Sequence, residues 1–360
     1  MEYRNQLIAF SLEIIKSLAA VLVNVNSPLE MMELKVPPLK KGQVLVEVFY
    51  SSICQSQINE IRGRKGVDNF LPHTLGHEGS GKVLDIGADV KKVKPGDSVV
   101  MTWIKGSGHD IPSVKYKSDG KIINSGAIST FLTHAVISEN RLVKISEIPM
   151  KVSSLLGCAI PTGAGIVYND LKAVKGRSIS IWGAGGIGLS SLIAAKKIGL
   201  NPIIAIDINE SKLSMAKELG ADYTLLYKND LSRDIHEITN SIGCDYAIEC
   251  AGKIKTIETA FNSINKNSGK LVIAGNPKKG KKFSIDPFDL ISGKQIFGTW
   301  GGSTSPDRDI LNYANLYKGG KFPMDKLITH VEPFNSINDA ISIVESGKSA
   351  RVVLQIKETI

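Results

Sequence analysis

The sequence predicts an α/β protein of two domains, an irregular antiparallel β domain and a doubly wound domain with a parallel sheet. Its 360 residues are more than one ordinary core requires. Short β-branched runs broken by Gly, Pro and Asn occupy the first part of the chain. From about residue 162, apolar strands alternate with helical runs. We therefore expect residues 1–161 and 302–360 to form one domain and residues 162–301 the other.

The strands of the first domain are predicted from segments that are rich in Val and Ile and end in turn residues: "AAVLVNV", "GQVLVEVFY", "GSGKVLDIG", "GDSVVM" and "THAVIS". In the second domain, "SISIWGAGGIGLSSLIAAKKIGL" and "NPIIAIDINESKLSMAKELGA" each read as a strand, a turn and a helix. The tail "INDAISIVESGKSARVVLQI" predicts one amphipathic helix and a final strand. The alternation in the second domain is typical of βαβ units.

Composition narrows the function classes. The net charge is +9, but the basic residues are scattered and accompany no nucleic-acid-binding motif, so we expect no nucleic-acid partner. No apolar run is long enough to span a bilayer or to form a signal peptide, which predicts a protein without a membrane partner. Four cysteines are too few for a disulfide framework and favour a cytoplasmic location.

A glycine motif, G-x-G-x-x-G, lies between a predicted strand and a predicted helix. Gly183 would form the tight turn, Gly185 would let a pyrophosphate approach the backbone, and Gly188 would let the helix pack on the strand. Gly186 and Ile187 complete the loop, whose amide groups begin the helix and favour phosphate. The motif therefore predicts a Rossmann domain that binds a dinucleotide.

The next predicted strand ends at Asp207, 19 residues after Gly188. This spacing is typical of the acid that accepts hydrogen bonds from the adenosine ribose. Because a carboxylate there repels a 2′-phosphate, we expect NAD in preference to NADP. Lys212 lies nearby as a further cofactor contact and leaves the strictness of that preference open.

Three candidate metal ligands are widely spaced along the chain. Cys54 follows a predicted strand, His77 lies in "LPHTLGHEGSGKV", and Cys158 precedes the nucleotide-binding domain. A catalytic zinc site needs about three N, S or O ligands and an open position. The residue types meet that requirement, but their spacing alone is weak evidence.

With these residues the sequence resembles the zinc-containing medium-chain alcohol dehydrogenase family, from about Lys16 to Ile356. The segments "GHEGSGKV", "VKPGDSVV", "GCAIPTGAG", "WGAGGIGL" and "DYAIECAG" carry the resemblance, in the order that is typical of the family. It implies a GroES-like catalytic domain and one catalytic zinc held by Cys54, His77 and Cys158. It further implies roles for residues around the metal and the cofactor: Glu78 beside the metal, Thr162 beside the nicotinamide, Trp103 in the substrate pocket and Arg351 on the pyrophosphate.

The sequence departs from the family in two places. Residues 104–126 contain no cysteine, so we expect no structural zinc, and we expect the single His109 there to be exposed to solvent. Ser56 keeps a hydroxyl that can take the alcohol proton, but Gln57 and Asn59 cannot titrate as the family's usual Asp and His do. Residues 1–15 have no counterpart in the family, and they could form an interface helix or come from translation upstream of the natural start.

The prediction is an NAD-dependent zinc alcohol dehydrogenase acting on a primary or secondary alcohol or the matching carbonyl. A polyol or sugar-derivative dehydrogenase of the same superfamily is the second interpretation, although Cys158 favours the alcohol branch. A zinc-free quinone or enoyl reductase and a dinucleotide sensor without catalytic activity remain as alternatives. The resemblance also implies a homodimer or homotetramer, with strands near residues 299–303 as a subunit contact.

Overall fold

The computed structural model describes residues 15–357. Its strands, β1 to β18 in chain order, are Lys16–Leu22, Glu30–Lys35, Gln43–Ile53, His73–Thr74, Glu78–Ile86, Ser98–Thr102, Lys115–Ser118, Lys121–Ser125, His134–Ser138, Leu142–Lys144, Ile179–Trp182, Ile203–Asp207, Tyr223–Leu226, Tyr246–Glu249, Lys270–Ile273, Gln295–Gly298, Ile328–Pro333 and Arg351–Gln355.

The α-helices, α1 to α10, are Gln55–Ile61, Met150–Ser153, Ala159–Gly165, Gly186–Ile198, Glu210–Glu218, Ser232–Ile238, Ile254–Asn262, Pro287–Ile291, Pro306–Lys318 and Ile337–Glu345. Short 3₁₀ helices span Glu139–Arg141, Ser154–Gly157, Gly301–Ser303, Met324–Leu327 and Phe334–Ser336, and a π-helix spans Ile166–Asp170.

The first domain consists of a small barrel and a larger sheet. The barrel closes in the order β1, β2, β7, β8 and β4, and most of its strand pairs are antiparallel. The larger sheet has the order β10, β6, β5, β3, β18 and β17, with β9 also paired to β3. Because β18 pairs with β3, the end of the chain returns to the domain in which it began.

The second domain is a six-stranded parallel sheet in the order β13, β12, β11, β14, β15 and β16. In strand numbers counted from β11 the order is 3-2-1-4-5-6, which is the doubly wound dinucleotide-binding topology. The order reverses beside β11, so the carboxyl end of β11 and the start of α4 lie at the edge where such sheets bind ligands.

The hydrophobic core continues from one domain to the other. One buried cluster joins Phe49 and Tyr50 on β3 to Ile179 on β11 and Leu192 on α4. Among residues 15–357, no single helix is long and apolar enough to cross a membrane. The segments Met150–Gly157 and Ala159–Asp170 reach that length only when taken together, across a bend of 54°.

These observations confirm the predicted fold class. The parallel sheet occupies residues 179–298, inside the expected range 162–301, although the boundaries themselves stay predictions. The strand next to residues 299–303 is β16, which ends at Gly298, whereas Gly301–Ser303 is a 3₁₀ helix. The subunit contact expected there stays a prediction. The expectation of an interface helix falls mainly on residues 1–14, which lie outside the described part of the chain.

Candidate active site

Three separate elements carry the candidate metal ligands. Cys54 follows β3 and is the N-cap residue of α1. His77 immediately precedes β5, and the next residue, Glu78, is the first of that strand. Cys158 lies between a 3₁₀ helix and α3. Residues that are 23 and 81 positions apart in sequence are therefore neighbours because β3, β5 and α3 pack together.

The donor atoms of these residues form one cluster. The Cys54 and Cys158 sulfurs, one ring nitrogen of His77 and one carboxylate oxygen of Glu78 all lie within 4.8 Å of one another. His77 Nε2 is buried and has no hydrogen-bond partner among the residues that the structure describes. Two thiols and an unpartnered imidazole nitrogen are the donor types that zinc takes, so the residues fit the metal that the sequence predicts.

The two thiols affect each other's ionisation. A hydrogen bond from Cys158 lowers the pKa of Cys54 well below its ordinary value. The same hydrogen bond raises the pKa of Cys158 well above its ordinary value, and burial adds to this increase. Cys54 is therefore the more acidic thiol of the pair, and a cation bound to both sulfurs would favour the thiolate form of each.

Gln57, which the sequence analysis singled out as a departure from the family's usual Asp, contacts the metal cluster. It is buried on α1, and its Nε2 lies 2.8 Å from His77 Nδ1. Its Oε1 accepts a hydrogen bond from the backbone N–H of Cys54 at 3.3 Å. The amide therefore contacts two of the predicted ligands, and it occupies the place where the resemblance led us to expect an acid.

The carboxylate of Glu78 is fully buried and paired. Its Oε1 forms an ion pair with Arg351 Nη2, and its Oε2 accepts the backbone N–H of Ala159 at 3.3 Å. Arg351 Nη2 also donates to Ser52 Oγ at 2.6 Å. Arg351 therefore neutralises a buried charge beside the metal cluster, which is a contact that the sequence did not predict.

The other predicted catalytic residues surround this cluster. Thr162 Oγ1 and Trp103 Nε1 are buried without a hydrogen-bond partner in the described part of the chain, and both side chains act to lower the pKa of Cys158. The Trp103 ring meets the His77 ring edge-on, with centroids 6.5 Å apart. Ser56 lies half-buried in the first turn of α1, two residues from Cys54.

The glycine loop has the geometry that its motif predicts. Gly183 has a φ of +100°, and a Cβ on Gly188 would lie 2.0 Å from the Gly183 carbonyl oxygen. A Cβ on Gly185 would meet no atom within 4 Å, so this residue borders open space at the start of α4. A Cβ on Gly186 would lie 2.5 Å from Arg351 Cδ. Arg351 therefore touches both the metal cluster and the phosphate-binding loop.

Asp207 ends β12 beside this loop. Its Oδ2 accepts the N–H of Ala184 at 2.7 Å, and its Oδ1 accepts the N–H of Asn209 at 3.0 Å. Burial lowers the pKa of Lys212, and the charge of Asp207 partly offsets that change. A carboxylate oxygen can accept more than one hydrogen bond, so these backbone contacts leave Asp207 able to bind a ribose hydroxyl.

The expectation of a solvent-exposed His109 is wrong. Only 32% of its side chain is exposed, and its Nδ1 lies 2.7 Å from Glu139 Oε2. Glu139 is buried and also accepts hydrogen bonds from the backbone N–H groups of Lys91, Lys92 and His109. His109 therefore ties the segment where many members of the family hold a structural zinc to a buried carboxylate that lies outside that segment.

Trp300 is a residue that the sequence analysis missed. It follows β16, its side chain is 80% exposed, and its ring meets the Trp103 ring at 88° with centroids 5.1 Å apart. The sequence contains no pattern that places it beside Trp103, because the contact depends on how the loop after β16 crosses to the first domain.

Comparison with known proteins agrees with this arrangement. Residues 40–147 match the family model described as alcohol dehydrogenase GroES-like domain, and residues 186–316 match the one described as zinc-binding dehydrogenase. An S-(hydroxymethyl)glutathione dehydrogenase of Photobacterium damsela subsp. piscicida is 30% identical, over 94% of this chain and 99% of that protein.

Two solved structures are similar over 96% of this chain and 100% of theirs. Benzyl alcohol dehydrogenase of Acinetobacter calcoaceticus superimposes with a TM-score of 0.87 at 31% identity. An alcohol dehydrogenase zinc-binding domain protein of Burkholderia ambifaria gives 0.89 at 30% identity. The fold, the cluster of donors and these likenesses lead to one conclusion: the chain belongs to the zinc-containing alcohol dehydrogenases of the medium-chain dehydrogenase/reductase superfamily, which are oxidoreductases.

Proposed function

We propose that this chain is an NAD-dependent zinc alcohol dehydrogenase that transfers a hydride between NAD(H) and an alcohol or the matching aldehyde or ketone. The observation that carries the proposal is the cluster of Cys54, His77 and Cys158 donors beside a dinucleotide-binding loop, with Arg351 in contact with both. Zinc bound there would supply a Lewis acid, and NAD would supply the hydride acceptor.

The residues of the chain divide the remaining tasks. Cys54, His77 and Cys158 would hold the metal, while Ser56 offers a hydroxyl to take the proton of the alcohol. Gly183, Gly185 and Gly188 shape the loop for a pyrophosphate. Arg351 keeps the charge of Glu78 neutralised within the buried site. The absence of cysteine from residues 104–126 supports one zinc per chain, without a structural zinc.

Asp207 supports NAD over NADP, because its carboxylate at the end of β12 would lie against a 2′-phosphate. The relatives described above act by name on different substrates, benzyl alcohol in one case and a hydroxymethyl thiol adduct in another. The proposal therefore covers alcohols as a class. A polyol or sugar-derivative dehydrogenase is the alternative within the same chemistry.

Metal analysis and an activity screen test this proposal together. We expect about one zinc per chain in protein purified without chelators, loss of that zinc in Cys158→Ala, and NAD-dependent oxidation of at least one alcohol in a broad panel. Cys244→Ala is the matched control, because Cys244 is buried in a separate core cluster. Zinc-free wild-type protein would favour the quinone or enoyl reductase interpretation, whereas bound zinc and NAD without turnover would favour a sensor.

A reducing compartment also forms part of the proposal. The four cysteines are free, and the Cys54 and Cys158 sulfurs lie within 4.8 Å of each other. An oxidising compartment would favour a bond between those thiols and would remove two of the predicted ligands. We accordingly propose a cytoplasmic location, which fractionation of cells that produce the protein would test.

We further propose a homodimer or homotetramer. Within residues 15–357, β16 pairs only with β15 and so ends the parallel sheet. The neighbouring α8 exposes Phe288 and Ile291, at 64% and 78%. An open edge beside apolar side chains suits contact with a second copy. Light scattering should give at least twice the mass of one chain, and a monomer would contradict this proposal.

A further inference from the structure

Trp300 is a large apolar residue that the described part of the chain leaves 80% exposed, in contact with Trp103 of the candidate active site. Its ring stands at 88° to the ring of Trp103, with centroids 5.1 Å apart. Exposed aromatic rings beside a functional cleft often mark a surface that binds a ligand. Two perpendicular indoles form a corner in which a flat ring can stack on one indole and meet the other edge-on.

This corner is adjacent to the metal cluster. Trp103 also contacts the His77 ring, whose centroid lies 6.5 Å away at an interplanar angle of 67°. The backbone carbonyl of Trp103 accepts a hydrogen bond from Arg141, so the inner indole is held at its main chain. The order from the metal cluster outward is therefore His77, Trp103 and Trp300.

The loop that carries Trp300 is held firmly in place. Thr299 Oγ1 donates to Asp170 Oδ2 at 2.5 Å, and the N–H of Gly302 donates to Thr299 Oγ1 at 3.0 Å. Thr304 Oγ1 donates to the carbonyl of Pro161 at 2.9 Å. These bonds tie the loop to the segment that carries Thr162, so Trp300 has a defined position relative to the metal cluster.

The close approach of the loop also depends on glycine. Gly301 has a φ of +64°, and a Cβ there would lie 3.2 Å from Trp103 Cζ2 and 2.9 Å from Ile104 Cδ1. A side chain at position 301 would therefore push the two indoles apart. A ring that is already positioned loses little conformational entropy when a ligand binds, which makes it an effective contact.

We propose that Trp300 is a specificity-determining residue and that the Trp103–Trp300 corner binds the aromatic ring of an aryl or arylalkyl alcohol or aldehyde. This inference rests on the proposed function, since the ring is bound so that its hydroxyl or carbonyl group reaches the metal cluster. The substrate class is thereby narrowed from alcohols in general to uncharged aromatic alcohols.

The experiment compares benzyl alcohol with 1-propanol as substrates of the zinc-loaded enzyme with NAD. We expect Trp300→Ala to lower the ratio of kcat/KM for benzyl alcohol to that for 1-propanol about tenfold or more, chiefly through KM, because a stacking partner is lost. Trp300→Phe, which keeps an aromatic ring, should restore most of that ratio. Tyr223→Ala is the matched control, because Tyr223 is a half-exposed aromatic residue on β13, at the far edge of the parallel sheet.

Several results would overturn the inference while leaving the proposed function intact. These are oxidation of 1-propanol but not benzyl alcohol by the wild type, an unchanged ratio in Trp300→Ala, or a change of oligomeric mass in that variant with both substrates affected equally. If the wild type oxidises neither alcohol, the proposed function fails for these substrates. In that case, saturation-transfer NMR measures the binding of benzaldehyde to the wild type and to Trp300→Ala. Equal binding would overturn the proposed role of Trp300.

Discussion

At the scale of single residues, the amide of Gln57 orients the ring of His77 in the metal cluster. Its Nε2 lies 2.8 Å from His77 Nδ1. A histidine that binds metal through Nε2 carries its proton on Nδ1 and donates it to an acceptor. The Gln57 amide can supply that acceptor by rotating its oxygen toward the ring, at the expense of the 3.3 Å bond from the Cys54 N–H.

We therefore expect Gln57→Leu to weaken zinc binding about 10- to 100-fold, because the imidazole loses the hydrogen-bond partner of its Nδ1. Gln57→Glu supplies an acceptor without rotation and should bind zinc at least as tightly as the wild type. Competition with a chromogenic chelator measures both affinities. Gln55→Leu is the control, because Gln55 is exposed on the same helix. An unchanged zinc affinity in Gln57→Leu would show that this contact does not orient the ring.

Residue types allowed part of this site to be predicted. Cys54, His77 and Cys158 could be selected because they offer the donor types that zinc takes and because the segments around them resemble those of the family. The hydrogen bond between Gln57 and His77 and the contact of Trp300 with Trp103 could not be predicted, because a glutamine or a tryptophan has many uses. Their roles arise from the turn of α1 and from the path of the loop after β16.

At the scale of elements, two glycines in the turn between β11 and α4 are needed for different reasons. Gly188 is needed for packing, and Gly185 for the ligand. A Cβ on Gly188 would lie 2.0 Å from the Gly183 carbonyl oxygen, so the helix could not keep its distance from the strand. A Cβ on Gly185 meets nothing within 4 Å, and its φ of −87° suits any residue. The two glycines should consequently respond differently to the same substitution.

We expect Gly188→Ala to lower the melting temperature and weaken NAD binding, because the β11–α4 packing must open. Gly185→Ala should keep the melting temperature of the wild type within a few degrees and lose about tenfold or more in NAD affinity, because its methyl group occupies the space meant for the pyrophosphate. Calorimetric unfolding and NAD titration measure the two effects. Equal loss of stability in both variants would contradict this separation.

At the same scale, the Glu139 carboxylate joins the loop that carries His109 to the loop that carries Lys91 and Lys92. Burial would raise the pKa of Glu139, but hydrogen bonds from the backbone and ring of His109 and from the N–H groups of Lys91 and Lys92 lower it to about 2. A depressed pKa means that the carboxylate stabilises the fold above its ordinary pKa of 4.5, and this contribution is lost as the pH falls from there toward 2.

Glu139→Gln should therefore destabilise the protein by about 1–3 kcal/mol at neutral pH, because an amide cannot accept all of these hydrogen bonds. The difference in melting temperature between wild type and variant should shrink as the pH is lowered from 5 toward the acid limit of folding. Lys144→Ala, which removes an exposed partner of Asp97, serves as a surface control. A difference that stays constant with pH would exclude the carboxylate as its cause.

At the scale of the whole molecule, the two-domain architecture could be predicted because helix and strand periodicities are local properties of the sequence. The strands β2, β4, β7, β8, β10 and β17 were not predicted individually, since they are short and several are half-exposed. Their pairing depends on barrel closure and on contacts with distant strands, such as that between β17 and β18. Long-range pairing of this kind leaves little trace in a single segment.

At the same scale, Arg351 connects the metal cluster of the first domain with the nucleotide loop of the second. The Arg351 side chain contacts Glu78 beside the metal cluster and Gly186 at the head of the nucleotide loop, so we expect the binding of zinc and of NAD to be coupled. Thermodynamic reciprocity then requires that zinc change the affinity for NAD by the same factor by which NAD changes the affinity for zinc. Calorimetric titration of NAD into zinc-free and zinc-loaded protein would measure this factor, and equal affinities would show that no coupling free energy passes through the shared arginine.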